Sequence, residues 1–316
     1  MAKIKASAAL EASLPKKSLW QRMGKYKMVY LFILPCVVHL LIFSYFPMYG
    51  ATIAFKDYRY NLGILGSPWV GLQNFRIFLG SYQFWQTLRN SVVISLLKTV
   101  FCFPASIILA LLLNELRFPR FKRWIQTFSY LPHFVSWAVI VTIMTALLSP
   151  YGGVINRMRD YLGLPSLFFM GERRFFYPLV IISSNWSGIG WGTIIYLSAL
   201  SSINPELYEA AYMDGAGKLR CVWHITLPGI KTTVGILFIF WMGGILNAGY
   251  DQILLLQQPA NMEISEILET YSLRVGLLQG RFELASAIGL FRALFSFCMM
   301  MLTNWVSKKF MEVSIF

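Results

Sequence analysis

Charged residues are scarce in this chain, and acidic residues are the scarcest. Only 13% of its 316 residues are charged, and 14 are Asp or Glu, whereas a soluble domain carries about 25% charged residues. Hydrophobic residues make up 57% of the chain. A composition this poor in charge disfavours a water-soluble protein and predicts that lipid surrounds much of the molecule.

The sequence also lacks the patterns that carry most enzyme chemistry. Its three histidines, His39, His133 and His224, are scattered, and neither an H-E-x-x-H motif nor a Gly-x-Ser-x-Gly elbow occurs. The four cysteines form no C-x-x-C pair, so we expect free thiols. These absences disfavour a membrane-embedded enzyme and predict that the chain binds no metal.

A complete phosphate-binding loop is absent as well. The stretch Gly215-Ala216-Gly217-Lys218 looks similar, but the motif needs glycine five residues before its second Gly and Ser or Thr after Lys. Those positions hold Tyr212 and Leu219. We therefore expect no ATP site and no other cofactor in this chain, so any ATP-driven process would draw on a partner.

Long apolar runs are what the sequence does contain. Residues 28–55, 124–156 and 175–205 carry no Asp, Glu, Lys or Arg, and about 20 apolar residues suffice to cross a membrane. We predict an all-α integral membrane protein. Its six spans would lie at roughly 29–49, 90–113, 124–148, 176–199, 232–255 and 284–306.

The positive charges indicate how these spans are oriented. The formal net charge is +14, and Lys and Arg concentrate before span one, between spans two and three, and after span six. An even number of spans puts these segments on one face, which the positive-inside rule makes cytoplasmic. Both termini would then be cytoplasmic. Anionic lipid headgroups suffice as partners for these charges, which disfavours nucleic acid.

The chain divides into a short tail and a membrane domain. Residues 1–27 are predicted to form a cytoplasmic basic tail, in which 16–27 is either an interfacial helix or a disordered anchor. Residues 28–316 would form the transmembrane domain. Its outer loops at 50–89, 149–175 and 257–282 are longer than tight turns.

Between spans four and five, at about 200–231, a mostly polar stretch has the composition of a docking surface. Asn204 and Pro205 are suited to begin a short helix, and Glu209 favours its N-terminal end. Gly215 can end the helix in a left-handed conformation. The simpler alternative is an amphipathic helix that packs only against its own bundle.

This stretch resembles the coupling loop of permease subunits in ATP-binding-cassette importers. The pattern is Glu-Ala-Ala, three residues, Gly, nine residues, then Ile-x-Leu-Pro. Its members, with one acidic neighbour, are our candidate ATPase-coupling residues: Glu209, Ala210, Ala211, Asp214, Gly215, Ile225, Leu227 and Pro228. The resemblance implies a type I importer permease fold with a cytoplasmic coupling helix, located in a bacterial plasma membrane.

Further segments resemble the carbohydrate-uptake branch that handles polysaccharides or oligosaccharides such as alginate and pectin fragments. They are residues 47–58, 66–72, 130–134 and 285–291. The resemblance implies a second, usually different, permease subunit, two ATP-binding subunits that hold ATP and Mg, and an extracytoplasmic solute-binding protein. A permease for another solute class and a passive channel are the remaining alternatives.

Polar residues within spans usually face a bundle interior or a cavity. The candidates for a sugar path are Asn185, Trp186, Trp191, Asn247, Tyr250, Asp251 and Arg292. Each also has a structural alternative, such as a hydrogen bond between helices. Arg292 and Lys98 would either attract an acidic cargo or pair with Asp251 or Glu115.

Overall fold

The computed structural model describes residues 26–315, and its regular elements in this range are helical. The α-helices of six residues or more are α1 Lys27–Leu40, α2 Gln73–Leu79, α3 Tyr82–Phe101, α4 Phe103–Asn114, α5 Pro119–Tyr130, α6 Trp137–Leu148, α7 Val154–Tyr161, α8 Arg173–Ser201, α9 Glu206–Met213, α10 Lys231–Gly243, α11 Tyr250–Leu256, α12 Leu268–Leu273 and α13 Phe282–Met311. Within the described range, β-pairing is limited to an isolated bridge between Lys56 and Trp69. The all-α prediction is confirmed.

Shorter helical turns connect these helices. Brief α-helical turns lie at Phe46–Met48, Gly63–Gly66, Lys218–Cys221, Leu227–Gly229 and Met262–Ser265. The 3-10 helices are Tyr49–Phe55, Leu131–Phe134 and Pro259–Asn261, and π-helical turns occur at Leu41–Tyr45, Val222–Thr226 and Arg274–Leu278.

The described chain separates into two compact units, which divide between residues 52 and 53. In the first unit, α1 runs through successive helical turns, and no residue from 26 to 49 is buried. The stretch Lys27–Phe55 is long and apolar enough to cross a membrane and contains the predicted first span. The predicted basic tail falls almost wholly on residues 1–25, outside the described residues, and its boundary stays a prediction.

In the second unit, Tyr82–Asn114 and Phe282–Phe310 are long and apolar enough to cross a membrane. Two bent helix pairs satisfy the same criteria together, which gives three to five candidate spans in the described chain. The predicted fourth span lies within α8, whose 29 residues extend about 44 Å at 1.5 Å per residue. α8 carries many polar side chains, so the count of six spans stays a prediction.

Two predicted spans are not the continuous helices we expected. The segment 124–148 breaks between Phe134 and Trp137, and the helical pieces Pro119–Phe134 and Trp137–Leu148 are bent by 103°. Val135 and Ser136 are extended at this break, and Ser136 begins α6 by accepting a hydrogen bond from the Val139 amide. The segment 232–255 breaks after α10 ends at Gly243, and the next helix begins after Gly249, which is left-handed with φ of 95°.

Two buried asparagines organise the long connections predicted to lie outside. The Asn74 amide donates to the carbonyls of Ala54 and Lys56 at 3.0 and 2.9 Å. The Asn156 amide donates to the Ser149 and Leu167 carbonyls, both at 2.9 Å, and its oxygen accepts from the Leu167 amide. A buried amide that bonds to several backbone groups fixes a loop without regular structure.

Helices α5 and α8 approach closely at a glycine. A Cβ atom at Gly190 would lie 2.0 Å from the Ser129 carbonyl oxygen. Small residues at such crossings let helix backbones pack within a membrane. The neighbouring Gly192 likewise faces Ser106 on α4, and Thr193 donates to the Ser106 carbonyl at 3.1 Å. α8 is therefore held between α4 and α5 by small side chains.

We expect Gly190→Ala to destabilise the protein by about 1–3 kcal/mol, the usual cost of overpacking a well-packed position. The matched control is Gly188→Ala on the same helix, where the added Cβ would meet no atom within 4 Å. Thermal unfolding of both variants in detergent checks the difference. Equal melting temperatures for the two variants would contradict the close packing of α5 on α8.

Candidate functional site

The coupling loop, residues 200–231, carries a short exposed helix. The Glu206 amide donates to the Asn204 side-chain oxygen at 3.1 Å, so Asn204 bonds to the first residue of α9 from just before the helix. α9 ends in a Schellman motif: the Ala216 amide donates to the Ala211 carbonyl at 2.9 Å and the Gly215 amide to Tyr212 at 3.0 Å. The left-handed conformation predicted for Gly215 is confirmed by its φ of 77°.

The candidate coupling residues differ in how far they are accessible. Glu209, Ala210, Asp214, Gly215 and Pro228 are exposed, whereas Ala211, Ile225 and Leu227 are half-buried. A shallow groove of about 350 Å³ runs beside α9 and is lined by Ala211, Asp214 and Ile225 among others. The motif therefore presents one accessible edge and one edge that packs against the protein.

Large apolar side chains next to the motif are also exposed, and we did not select them from the sequence. Met213 is 88% exposed, and Leu207 and Tyr212 are each about half exposed. Apolar side chains exposed beside a conformationally defined helix form a surface suited to a protein partner. Their position on α9, immediately beside Glu209, is the signal that would have found them.

Two contacts fix the coupling loop to the rest of the second unit. The hydroxyl groups of Tyr208 and Thr226 lie 3.0 Å apart, which closes α9 onto the returning chain. Lys218 forms an ion pair of 2.9 Å with Glu115 at the end of α4. Contacts within the chain therefore give the loop a defined shape.

A cavity of about 560 Å³ lies among α3, α4, α6, α8 and α10. Its lining combines aromatic and polar side chains, which include Lys98, His133, Trp137, Trp191, Trp241 and Asn247. The rings of His133 and Trp191 stack with centroids 4.5 Å apart and planes 5° apart. Aromatic faces combined with a few placed polar groups are typical of a small-molecule site.

Lys98 closes the break that follows α10. Its ammonium donates to the Ala248 carbonyl and to the Gln252 side-chain oxygen, both at 2.7 Å. The same Gln252 oxygen accepts from Ser184 at 3.0 Å, and its amide donates to Val180 and Ser183. The Lys98 bond satisfies the Ala248 carbonyl. The break in the helix would otherwise leave this carbonyl unpaired in an apolar environment.

Arg292 also has a partner, but not one that we expected. It forms an ion pair with Glu269 on α12, and it donates to the Asn247 side-chain oxygen at 2.7 Å. The alternative in which Arg292 or Lys98 pairs with Asp251 or Glu115 is not observed, because Glu115 pairs with Lys218 and Lys98 bonds to Gln252. Burial raises the pKa of Glu269, while the positive charge of Arg292 opposes that rise.

The seven candidate path residues are distributed rather than gathered in one place. Trp191 and Asn247 line the central cavity. Trp186 lines a separate apolar cavity of about 570 Å³ against α5, and Tyr250 and Arg292 line a third of about 410 Å³ with Glu269. The remaining two line none of these cavities: Asn185 is half-buried with its side-chain oxygen unpaired in the described residues, and Asp251 is exposed.

Asn247 connects two of these cavities. It lines the central cavity and accepts a hydrogen bond from Arg292, which lines the third. Glu269, the partner of Arg292, lies outside the predicted spans, and for that reason sequence reasoning missed it. The other carboxylate oxygen of Glu269 and the Arg292 Nε are buried without a partner in the described chain. The pair could therefore accept one further hydrogen bond at Glu269 and donate one at Arg292.

The chain is similar to two Bacillus subtilis proteins over nearly its whole length. It is 43% identical over 301 residues to the polygalacturonan/rhamnogalacturonan transport system permease protein YteP of Bacillus subtilis, with 95% of this chain and 94% of that protein covered. It is 41% identical over 290 residues to the protein LplB of the same organism, with 92% and 91% covered.

Solved structures share the fold. A bacterial transporter that imports the acidic polysaccharide alginate contains a chain with a TM-score of 0.86 and 35% identity, covering 93% of this chain and 99% of that one. The alginate transporter in complex with an alginate pentasaccharide-bound periplasmic protein gives the same TM-score at 34% identity, with 95% and 100% covered. Residues 102–312 match the model of the binding-protein-dependent transport system inner membrane component. The chain belongs to this family of membrane transport components.

Proposed function

We propose that this chain is the permease subunit of an ATP-binding-cassette importer for acidic oligosaccharides. The observation that carries the proposal is the coupling loop, which presents an exposed, conformationally fixed helix on a membrane protein that has a polar and aromatic cavity. A passive channel has no use for such a docking helix. The relatives that transport polygalacturonan, rhamnogalacturonan and alginate support an acidic sugar cargo.

In this proposal the chain supplies the route and its partners supply energy and cargo. Two separate ATP-binding subunits bind ATP and Mg and hydrolyse the nucleotide, and α9 docks on one of them. A second homologous permease, most simply a different chain, completes the membrane part. An extracytoplasmic binding protein delivers the oligosaccharide, as supported by the alginate transporter solved with its sugar-bound periplasmic protein.

The cargo would pass through the central cavity by way of several weak contacts. Trp191 stacked on His133 offers a flat aromatic surface for an apolar sugar face, and Asn247 offers an amide for hydroxyl groups. Each hydrogen bond contributes only about 1 kcal/mol net, so the path can release what it binds. Arg292, which bonds to Asn247 at the edge of this cavity, would bind a sugar carboxylate by exchanging Glu269 for it.

We expect Glu209→Lys and Gly215→Pro to leave the complex in the membrane but to lower transport about tenfold or more, since tenfold requires only about 1.4 kcal/mol. The first places a cation on the docking helix. The second fixes φ near −65°, where the structure has 77°. Uptake and ATPase stimulation in reconstituted vesicles are the measurements.

The matched control for the loop is Gly217→Ala. Gly217 has an ordinary φ of −78°, and an added Cβ would meet nothing within 4 Å. We expect this variant to transport normally. Normal uptake and normal ATPase stimulation in both Glu209→Lys and Gly215→Pro would refute the docking role.

For the cargo, we expect Arg292→Gln to lower uptake of oligogalacturonate about tenfold, because a hydrogen bond to a charged group contributes about 1.5–3 kcal/mol. Uptake of a neutral oligosaccharide of equal length should change much less. Arg281→Gln is the control, since Arg281 is exposed and lies just before α13. Binding-protein-dependent ATPase activity in vesicles reports both cargoes.

An equal loss for acidic and neutral cargo would assign Arg292 a structural role only. If amino acids or metal ions stimulated the ATPase while no oligosaccharide did, the sugar assignment would be wrong, although the importer assignment would survive.

We further propose that both termini are cytoplasmic, on the basis of the Lys and Arg distribution. In a background without the four native cysteines, a Cys placed at Gly66 should react with an impermeant thiol reagent in intact cells. A Cys placed at Lys309 should not react, because Lys309 would follow the last span on the inner face. The reverse labelling pattern would contradict the orientation.

A further inference from the structure

Three arginines converge on a groove of about 700 Å³ at one end of α3 and α8. The groove is lined by Arg89, Val93, Arg173, Arg174, Tyr177 and Ile264. In the orientation proposed above, this end faces outward. Neither the coupling loop nor the central cavity contributes a residue to the groove, so it is a separate site.

The charges around the groove do not balance. Arg173 forms two hydrogen bonds with Glu263, at 2.8 and 3.3 Å, and Arg174 pairs with Glu172 at 2.7 Å. Neither carboxylate lines the groove, and Arg89 has no carboxylate partner within residues 26–315. Three guanidinium charges against two carboxylate charges leave one positive charge, which a single monovalent anion would neutralise.

The N-terminus of α8 adds to this positive potential. Arg173 and Arg174 occupy its first turn, where the partial positive charge of the helix dipole disfavours cations. No side chain caps this end, so its first amides have no side-chain acceptor. Guanidinium groups bind phosphate in a planar, two-pronged geometry, which suits an anion held between α3 and α8.

The order of residues along both helices matches the layers of a membrane. Val93 lies one turn deeper than Arg89, and Tyr177 lies one turn deeper than Arg173, so the charged groups stand above an apolar layer. On the outward side of Arg89, Tyr82 is 79% exposed and Trp85 is 57% exposed. Exposed Tyr and Trp typically lie at the level of lipid headgroups.

We propose that this groove binds the phosphodiester headgroup of an anionic phospholipid in the outer leaflet, with the acyl chain against Val93. Phosphatidylglycerol carries a single negative charge, which would neutralise the one unbalanced positive charge of the groove. A sugar carboxylate also carries this charge, but it has no apolar chain to cover the deeper layer. The lipid would stabilise the outer ends of α3 and α8 against each other.

The test uses the assembled transporter in vesicles of equal parts phosphatidylglycerol and phosphatidylcholine, extracted and analysed by native mass spectrometry. We expect the wild-type complex to retain phosphatidylglycerol in preference to phosphatidylcholine. Arg89→Gln should lower that occupancy about tenfold, the effect of losing one hydrogen bond between charged groups. The control, Arg59→Gln, removes an exposed arginine that pairs with Asp57 elsewhere and should change nothing.

Equal retention of both lipids by the wild-type complex, or unchanged occupancy in Arg89→Gln, would overturn the proposal. If trigalacturonate or inorganic phosphate displaced the phosphatidylglycerol at matched ionic strength, the groove would be a site for soluble anions and the lipid assignment would be wrong. If Arg89→Gln fails to assemble, Arg89→Lys serves instead. It keeps the charge without the two-pronged geometry and should lower occupancy several-fold.

Lipid retention is measured without cargo or ATP, so its failure would leave the importer function untouched. Conversely, loss of oligosaccharide uptake in the coupling-loop variants would leave the lipid result unchanged.

Discussion

In an apolar environment a helix can break only where other groups bond its freed backbone, and this constraint shapes the centre of the protein. After α10 the chain leaves helical geometry, and the Lys98 ammonium bonds to the buried Ala248 carbonyl. The same ammonium holds Gln252, which in turn bonds to α8. One charged side chain from α3 therefore fixes both the break and the position of α11.

The break has a direct consequence for the cavity. In a continuous helix over 232–255, the direction of the Asn247 side chain would follow from the regular helical turn. In the broken segment, Asn247 instead lines the cavity and bonds to Arg292. α10 leads from the coupling loop on one side to this break on the other. α10 thus connects the coupling loop to residues that line the cavity, after a bend of 62° between Lys218–Gly229 and Lys231–Gly243.

Glycine sets the geometry at one helix end and at one helix crossing. Gly215 provides the left-handed conformation that ends α9 in the coupling loop. Gly190 lets α5 and α8 touch through their backbones. The first position was predicted from the sequence, because helix ends have a local signature. The second was not, because a close approach between helices depends on residues some 60 positions apart.

The sequence by itself determined the membrane class, the approximate positions of the apolar segments and the form of the coupling loop. Each follows from local physics: apolar length, helix capping and a left-handed glycine. Tertiary structure alone decided that two predicted spans are broken, that Arg292 pairs with Glu269, and that the candidate path residues line three cavities. Ion-pair partners and cavity linings depend on which helices become neighbours, and a broken helix survives only if a distant side chain such as Lys98 reaches it.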